Sequence, residues 1–107
     1  MHQIAKTPEP PYYAVVFTSV RTATDKGYAD TAEKMMALAS NQPGFLGVES
    51  VRQDGGLGIT VSYWKDTDSI NKWKNHAAHQ HAQQLGRHKW YSGYRIRVAK
   101  VDREYGY

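Results

Sequence analysis

The chain has 107 residues, of which 40% are hydrophobic and 22% are charged, a composition typical of one compact globular domain. Fourteen Lys and Arg against ten Asp and Glu give a formal net charge of +4 without a long basic run, so nucleic acid is not an expected partner. The chain has no cysteine, which excludes thiolate nucleophiles, disulfides, iron–sulfur clusters and cysteinyl zinc sites.

The N-terminal segment, MHQIAKTPEPPYY, lacks the hydrophobic core of a signal peptide. No apolar run in the chain approaches the roughly 20 residues that span a bilayer. We therefore expect a cytoplasmic protein that does not insert into membranes. Residues 1–11 contain three of the four prolines and predict an extended N-terminal arm.

The segment from Tyr12 to Val20 is rich in β-branched and aromatic residues and predicts the first strand. Its centre, from Ala14 to Phe17, is apolar at consecutive positions. Because side chains alternate between the two faces of a strand, we expect this strand to be covered on both sides of its sheet.

A first helix is predicted next, by apolar side chains at helical spacing. These are Tyr28, Ala32, Met35, Met36 and Ala39. Pro43 and Gly44 end the helix, since neither continues the pattern. Two further strands, Phe45–Arg52 and Leu57–Trp64, flank a glycine-rich hairpin turn. Leu57, Ile59, Val61 and Tyr63 share one face of the second of these strands.

A longer helix is predicted from about Asp68 to Leu85, with Asp66 or Thr67 as its cap and Gly86 after its end. The last strand lies near Tyr91 to Val101. The chain then closes with a charged, aromatic tail.

The order of elements predicts an α+β fold, the ferredoxin-like βαββαβ plait with an antiparallel sheet, over residues 12–101, followed by the tail 102–107. In an isolated plait one face of the sheet carries both helices and the other meets water. The two-sided apolar first strand does not fit that arrangement. We therefore expect a homodimer that packs the two bare sheet faces together.

The segment from Tyr63 to Tyr91 holds all three Trp and four of the five His. On a helix, Trp73, His76 and His79 lie on one strip, because residues three or four apart are neighbours. An imidazole, with an ordinary pKa of about 6.5, suits general-base catalysis. The histidines could instead be exposed helix residues, and a metal site would lack a third suitably spaced ligand.

The aromatic residues of this segment predict a cavity between the second helix and the sheet. Trp64 and Trp73 belong to it together with Tyr63, Tyr91 and Tyr94. Tryptophans in such positions are more often part of the core than contacts to a ligand, so that alternative stays open.

The sequence Pro43-Gly44-Phe45, the hairpin, the strand ending Tyr63-Trp64-Lys65-Asp66, and then Ile70 and Trp73 on a histidine-bearing helix resemble the antibiotic biosynthesis monooxygenase domain. The resemblance covers about Tyr12 to Val101. It implies a homodimer whose sheets pair into a dimeric α/β barrel. It also implies a monooxygenase without metal or flavin, which oxidises a small aromatic or polycyclic phenolic compound with O2.

The resemblance further implies that Trp64, Trp73 and either His79 or His76 belong to the site. On the oxygenase hypothesis, His79 or His76 would be the base beside Trp73, and these residues form the catalytic set. Phe17, Tyr63, Trp64 and Tyr94 would line the pocket and bind the substrate. The phenolate would give an electron to O2, and confinement would hold the resulting radicals together.

Two alternatives stay open. The chain could be a non-catalytic dimeric domain that binds a small molecule, because a fold does not specify its function. It could also bind or degrade haem, since Trp64 and Trp73 keep the spacing of a haem-degrading branch of the family. Against haem, the histidine segment from Ala77 to His81 is shifted by about a turn, and the first strand lacks the asparagine of that branch.

Overall fold

The computed structural model describes residues 3–23, 27–85 and 90–107, leaving out the side chains of 78–85. Its elements are β1 (Tyr12–Arg21), α1 (Tyr28–Ser40), β2 (Phe45–Arg52), β3 (Leu57–Trp64), α2 (Thr67–Leu85) and β4 (Tyr91–Val101). The predicted order of elements is confirmed. The proposed end of α2 at Gly86 lies outside the described residues.

The four strands form one antiparallel sheet in the order β2-β3-β1-β4. β1 and β3 are central, and their register runs from Tyr13 opposite Trp64 to Val20 opposite Leu57. This confirms the α+β, ferredoxin-like plait.

The start of α2 is fixed by a side-chain cap. The backbone N–H of Ser69 donates to Oδ1 of Asp66 at 2.8 Å, which satisfies one of the free amides at the helix start. Hydrogen bonds from the side chain and the backbone of Ser69 lower the pKa of the Asp66 carboxyl. Of the two predicted caps, Asp66 is therefore the one that the structure uses.

The turn between α1 and β2 packs against the same helix start. Gly44 has a φ of 86°, a conformation that glycine adopts without strain. Its carbonyl accepts a hydrogen bond from the backbone N–H of Lys65 at 2.8 Å. A side chain at position 44 would overlap Ser69, so the turn fits against α2 only with glycine here.

The helices cover one face of the sheet, which we call the helix face. Val15 and Phe17 of β1 lie on it, while Ala14 and Val16 lie on the opposite, open face. The apolar centre of β1 is thus divided between the two faces, and its covering on the open face by a partner stays a prediction.

The open face is only partly covered. Residues 3–11 form neither helix nor strand, and the backbone N–H of Ala5 donates to Oε2 of Glu49 on this face at 3.0 Å. At its uncovered end Val20, Val51, Leu57 and Ile59 are 40%, 76%, 44% and 41% exposed.

The larger part of the core lies between the sheet and the two helices, while Tyr12 and Ala14 are buried on the open face. Its most buried large side chains are Trp64 and Trp90. In the described part of the chain, the helices are too short or too polar to cross a membrane.

Candidate functional site

A cavity of about 320 Å³ lies between the helix face and the two helices. That volume is within the range of small-molecule sites, roughly 300–1,000 Å³. Its apolar wall includes Val15, Phe17, Ala32, Met35, Met36, Ala39, Val48, Trp73, Ala77 and Ile96. The cavity can therefore bury a small apolar or aromatic molecule.

Trp73 of α2 contributes an aromatic ring to the wall, and a second indole supports this ring from the side away from the cavity. The Trp73 ring stacks on that of Trp64, with centroids 6.2 Å apart and planes at 22°. Trp64 in turn packs edge-on against Phe45, and its Nε1 donates to Oγ of Ser62 at 2.9 Å. The wall at Trp73 is thus backed by a second, fully buried indole.

A row of hydroxyl groups crosses the sheet side of the cavity. Ser50 of β2 and Thr60 of β3 are paired in register, and their side-chain oxygens are 2.7 Å apart. Ser62 is the next residue of β3 on the same face, and all three line the cavity. These groups can donate or accept hydrogen bonds from a ligand oxygen.

Two arginines lie near Tyr28 and Tyr91, which both belong to the cavity wall. Arg52 lines the cavity, and the guanidinium of Arg21 lies 3.4 Å from the ring centroid of Tyr28. The Tyr91 hydroxyl donates to that of Tyr28 at 3.3 Å. Burial is the main cause that raises the pKa of Tyr91, and the nearby charges of Arg52 and Arg21 oppose the rise.

The histidines are only partly described. The His76 ring lies 5.9 Å from the Trp73 ring, and its Nε2 is buried without a hydrogen-bond partner among the described residues. Ala77, and not His76, belongs to the described wall of the cavity. His79 is part of α2, but its side chain is outside the described residues. The choice of base stays a prediction.

The structure brings only part of the predicted substrate-binding set together. Phe17 lines the cavity with Trp73, whereas Trp64 lies behind Trp73. The Tyr94 ring is 5.7 Å from that of Phe17, but 57% of the residue is exposed, and it is outside the cavity wall.

Tyr63 points away from this site. Its hydroxyl donates to Oε1 of Glu49 on the open face at 2.6 Å, and its ring packs edge-on against Tyr12. Burial first, and then the hydrogen bond to Glu49, raise the pKa of Tyr63. Grouping Tyr63 with Trp64 on one wall conflicts with strand geometry, because consecutive strand residues point to opposite faces.

Sequence reasoning missed the polar side of the cavity. Ser50, Thr60 and Ser62 are polar residues at alternate strand positions, and Arg52 ends β2 in the same alternation. The signal that could have revealed these residues was the apolar stripe from Leu57 to Tyr63, which occupies the open face of β3. Because strand residues alternate between faces, the polar residues between them, Thr60 and Ser62, must face the helices.

In the described part of the chain, no three His, Cys, Asp or Glu side chains come together as a possible metal site.

Comparison with known sequences identifies a family for this chain. The family model described as antibiotic biosynthesis monooxygenase matches residues 11–85. The chain is 60% identical over 104 residues to "uncharacterized protein YqjZ" of Bacillus subtilis (strain 168), covering 97% of this chain and 91% of that protein. It is 29% identical over 94 residues to the jasmonate monooxygenase ABM of Pyricularia oryzae, of which the match covers 43%.

Solved structures share the fold. The cofactor-independent oxygenase SnoaB of Streptomyces nogalater matches with a TM-score of 0.69 at 13% identity, over 89% of this chain and 97% of that one. A protein of unknown function from Nitrosomonas europaea matches with a TM-score of 0.68 at 13% identity, over 88% of this chain and 92% of that one.

Proposed function

The chain belongs to the antibiotic biosynthesis monooxygenase family, and we propose that it oxidises a small aromatic, phenolic molecule with O2 and without a cofactor. The observation that carries this proposal is the cavity of about 320 Å³, whose apolar wall faces a row of hydroxyls. SnoaB, which shares the fold, is a cofactor-independent oxygenase, and the Pyricularia relative is a monooxygenase. Both names favour the same class of chemistry here.

The substrate ring is proposed to lie against Trp73. An indole backed by a second indole is a rigid surface for a planar ligand, because aromatic pairs favour stacked or edge-on packing. Ser50 and Thr60 face the ligand from the sheet and would bind an oxygen substituent. Together these contacts orient the ring and exclude water from it.

The proposed reaction needs no external reductant. A reduced polycyclic phenol loses a proton, and the resulting anion gives one electron to O2. The organic radical and superoxide then combine into a peroxide anion, which takes back the proton to form a hydroperoxide and loses water to leave a quinone. One oxygen atom enters the product and the other leaves in water with two substrate hydrogens, so the substrate supplies all the electrons.

His76 or His79 is proposed as the base. The Nε2 atom of His76 is buried and has no hydrogen-bond partner in the described part of the chain; an unpaired buried nitrogen costs about 1–3 kcal/mol, which favours a role for it. Its neighbour Trp73 lines the cavity. His79 remains the second candidate, and the two are separated by substitution.

We also propose that two copies associate through their open faces. Four apolar residues are exposed there, Val20, Val51, Leu57 and Ile59, and a contiguous apolar patch is typical of an interaction surface. Facing copies of one sheet would form the dimeric barrel expected from the sequence. The cytoplasmic location stays a prediction.

One observation favours the non-catalytic alternative. No His, Asp or Glu belongs to the described wall of the cavity, so the described wall holds no ordinary proton acceptor of that kind. A binding domain would take up the ligand without consuming O2.

Titration with haemin, followed by its Soret band, tests the haem alternative.

The test is oxygen uptake with anthrone, whose oxidation to anthraquinone and water follows the proposed balance. We expect turnover by the wild type, loss of it in Trp73→Ala, and a fall in kcat of about 10²- to 10⁴-fold in whichever of His76→Gln and His79→Gln removes the base. Tyr105→Ala, at an exposed tail residue, is the control. Oxygen uptake that is unchanged in Trp73→Ala and in both histidine variants would overturn the proposal.

A further inference from the structure

We infer that Arg52 binds an anionic oxygen of the ligand, so that the cavity selects apolar molecules carrying a carboxylate. This rests on the proposed function only in taking the cavity as the ligand site. It adds a substrate class, an aromatic acid, and a residue that determines it.

Arg52 is held in place by the sheet itself. Its side chain starts at the end of β2 and reaches across β3 to Ser19 of β1. There Nη1 donates to the Ser19 carbonyl at 3.3 Å and to the Gly56 carbonyl at 2.9 Å, and Nη2 donates to Oγ of Ser19 at 2.5 Å. Ser19 is 1% exposed, so the guanidinium is anchored to a buried residue of the central strand β1.

Gly58 makes room for this arrangement. It is the residue of β3 that pairs with Arg52, and a side chain there would overlap the guanidinium. The guanidinium therefore occupies the space beside the backbone of β3 where a side chain would otherwise be. Any larger residue at position 58 would displace the charge.

The guanidinium keeps unused donors. Arginine has five N–H donors, and the three hydrogen bonds to Ser19 and Gly56 use both protons of Nη1 and one of Nη2. Nε and the second proton of Nη2 have no acceptor among the described residues. Two donors on adjacent nitrogens match the two oxygens of a carboxylate.

The charge of Arg52 is not neutralised in the described part of the chain. All three acceptors are neutral, and Arg52 has no ion pair with a described carboxylate. No acidic residue belongs to the described wall of the cavity. A partly buried cation without a counter-charge is costly, and a ligand anion would provide that counter-charge.

The surroundings extend the positive end. Arg21 lies over the Tyr28 ring, and the charges of Arg52 and Arg21 both act on the Tyr91 phenol. The Tyr28 hydroxyl accepts a hydrogen bond from that of Tyr91 and has its own proton to donate to an oxyanion. The cavity thus has an apolar wall at Trp73 and a cationic, hydroxyl-bearing end at Arg52, the pattern that an amphipathic acid would fit.

The test compares two ligands that differ in one group. 1-Naphthylacetate and 1-naphthylacetamide have the same ring and linker, but only the first is an anion at pH 7. Their affinities are measured by isothermal titration calorimetry. We expect the wild type to bind the acid at least about tenfold more tightly, a difference of about 1.4 kcal/mol.

Variants assign the selectivity to Arg52. Arg52→Gln and Gly58→Ala should both abolish the preference while changing the amide affinity less than about twofold, and Arg52→Lys should restore part of it, because lysine keeps the charge without the fork. Arg97→Gln removes the same charge from an exposed residue of β4 and should keep the preference. Circular dichroism checks that each variant is folded.

The outcomes separate this inference from the proposed function. Equal binding of acid and amide by the wild type overturns the inference, and so does an equal loss of both ligands in Arg52→Gln, which would mean a purely structural role. Selectivity without oxygen uptake supports the anion site and contradicts the monooxygenase. Oxygen uptake without selectivity contradicts only the anion site.

Discussion

Trp73 and Trp64 stack with their planes at 22°, one indole lining the cavity and the other fully buried behind it. Stability and ligand binding are thereby divided between two residues of the same type. The inner ring fills the core, and the outer ring meets the ligand.

Substitution should separate these two roles. Trp64→Ala is expected to lower the free energy of unfolding by about 3–5 kcal/mol, as large-to-small changes at buried aromatics do. Trp73→Ala should cost less stability, because its ring is half-buried, but should weaken 1-naphthylacetate binding by at least about tenfold. Urea denaturation and calorimetry measure the two effects. Equal losses of stability in both variants would contradict the division.

The exposed end of the open face should control association. The chain has a mass of 12.1 kDa, and sedimentation equilibrium at micromolar concentration should give twice that value for the wild type. Ile59→Asp puts a charge into the apolar patch and should give the single-chain mass. Ile4→Asp changes an equally apolar residue that is 82% exposed in the arm and should not. A monomeric wild type would refute the dimer.

Gly44 should be more sensitive than Gly55 to the same change. Both have a positive φ, 86° and 63°, so alanine is strained at each and should cost about 1 kcal/mol. At Gly44 the new methyl group also meets Ser69, whereas nothing lies near it at Gly55. We expect Gly44→Ala to lose at least about 1 kcal/mol more in urea unfolding, the usual range of overpacking costs. Equal losses of stability in Gly44→Ala and Gly55→Ala would mean that the turn at Gly44 shifts to make room for the methyl group.

Tyr63 should make stability depend on pH in the alkaline range. Its pKa is raised from the ordinary value of 10.0, so the folded protein favours the protonated phenol that donates to Glu49. This contribution is fully present below pH 10 and is lost as the pH rises toward the folded pKa. The stability difference between wild type and Tyr63→Phe should be constant from pH 7 to about 9, at about 1 kcal/mol for one hydrogen bond, and should shrink above pH 10. A difference that grows with pH would contradict the assignment.

The fold could be predicted because its signals are local. The β-branched run of β1, the glycines of the hairpin and the cap at Asp66 each define a boundary through the residues beside it. The proline and glycine after α1 also mark a stop. Each of these signals depends only on residues that are neighbours in the chain, so the sequence alone is enough to locate it.

The cavity could be predicted only in part, because its wall depends on register and on which face the helices cover. Trp73, predicted from the aromatic segment, and Phe17, predicted as part of the oxygenase pocket, both line the cavity. Arg52 was missed because its anchor, Ser19, is 33 residues away in the chain, and only the pairing of β2, β3 and β1 brings the two together. Tyr63 was misplaced because its neighbour Trp64 suggested the same surface, which the alternation of a strand rules out.

Ile96 belongs to the cavity wall and is also 52% exposed. It lies on β4, the edge strand of the sheet, so the cavity reaches solvent along that edge. A ligand can therefore enter and leave sideways, without parting the two helices. Exchange of substrate and product would then be limited by the width of the opening at Ile96. Substitution of Ile96 by a larger or a smaller residue is the direct way to change the residence time of a ligand.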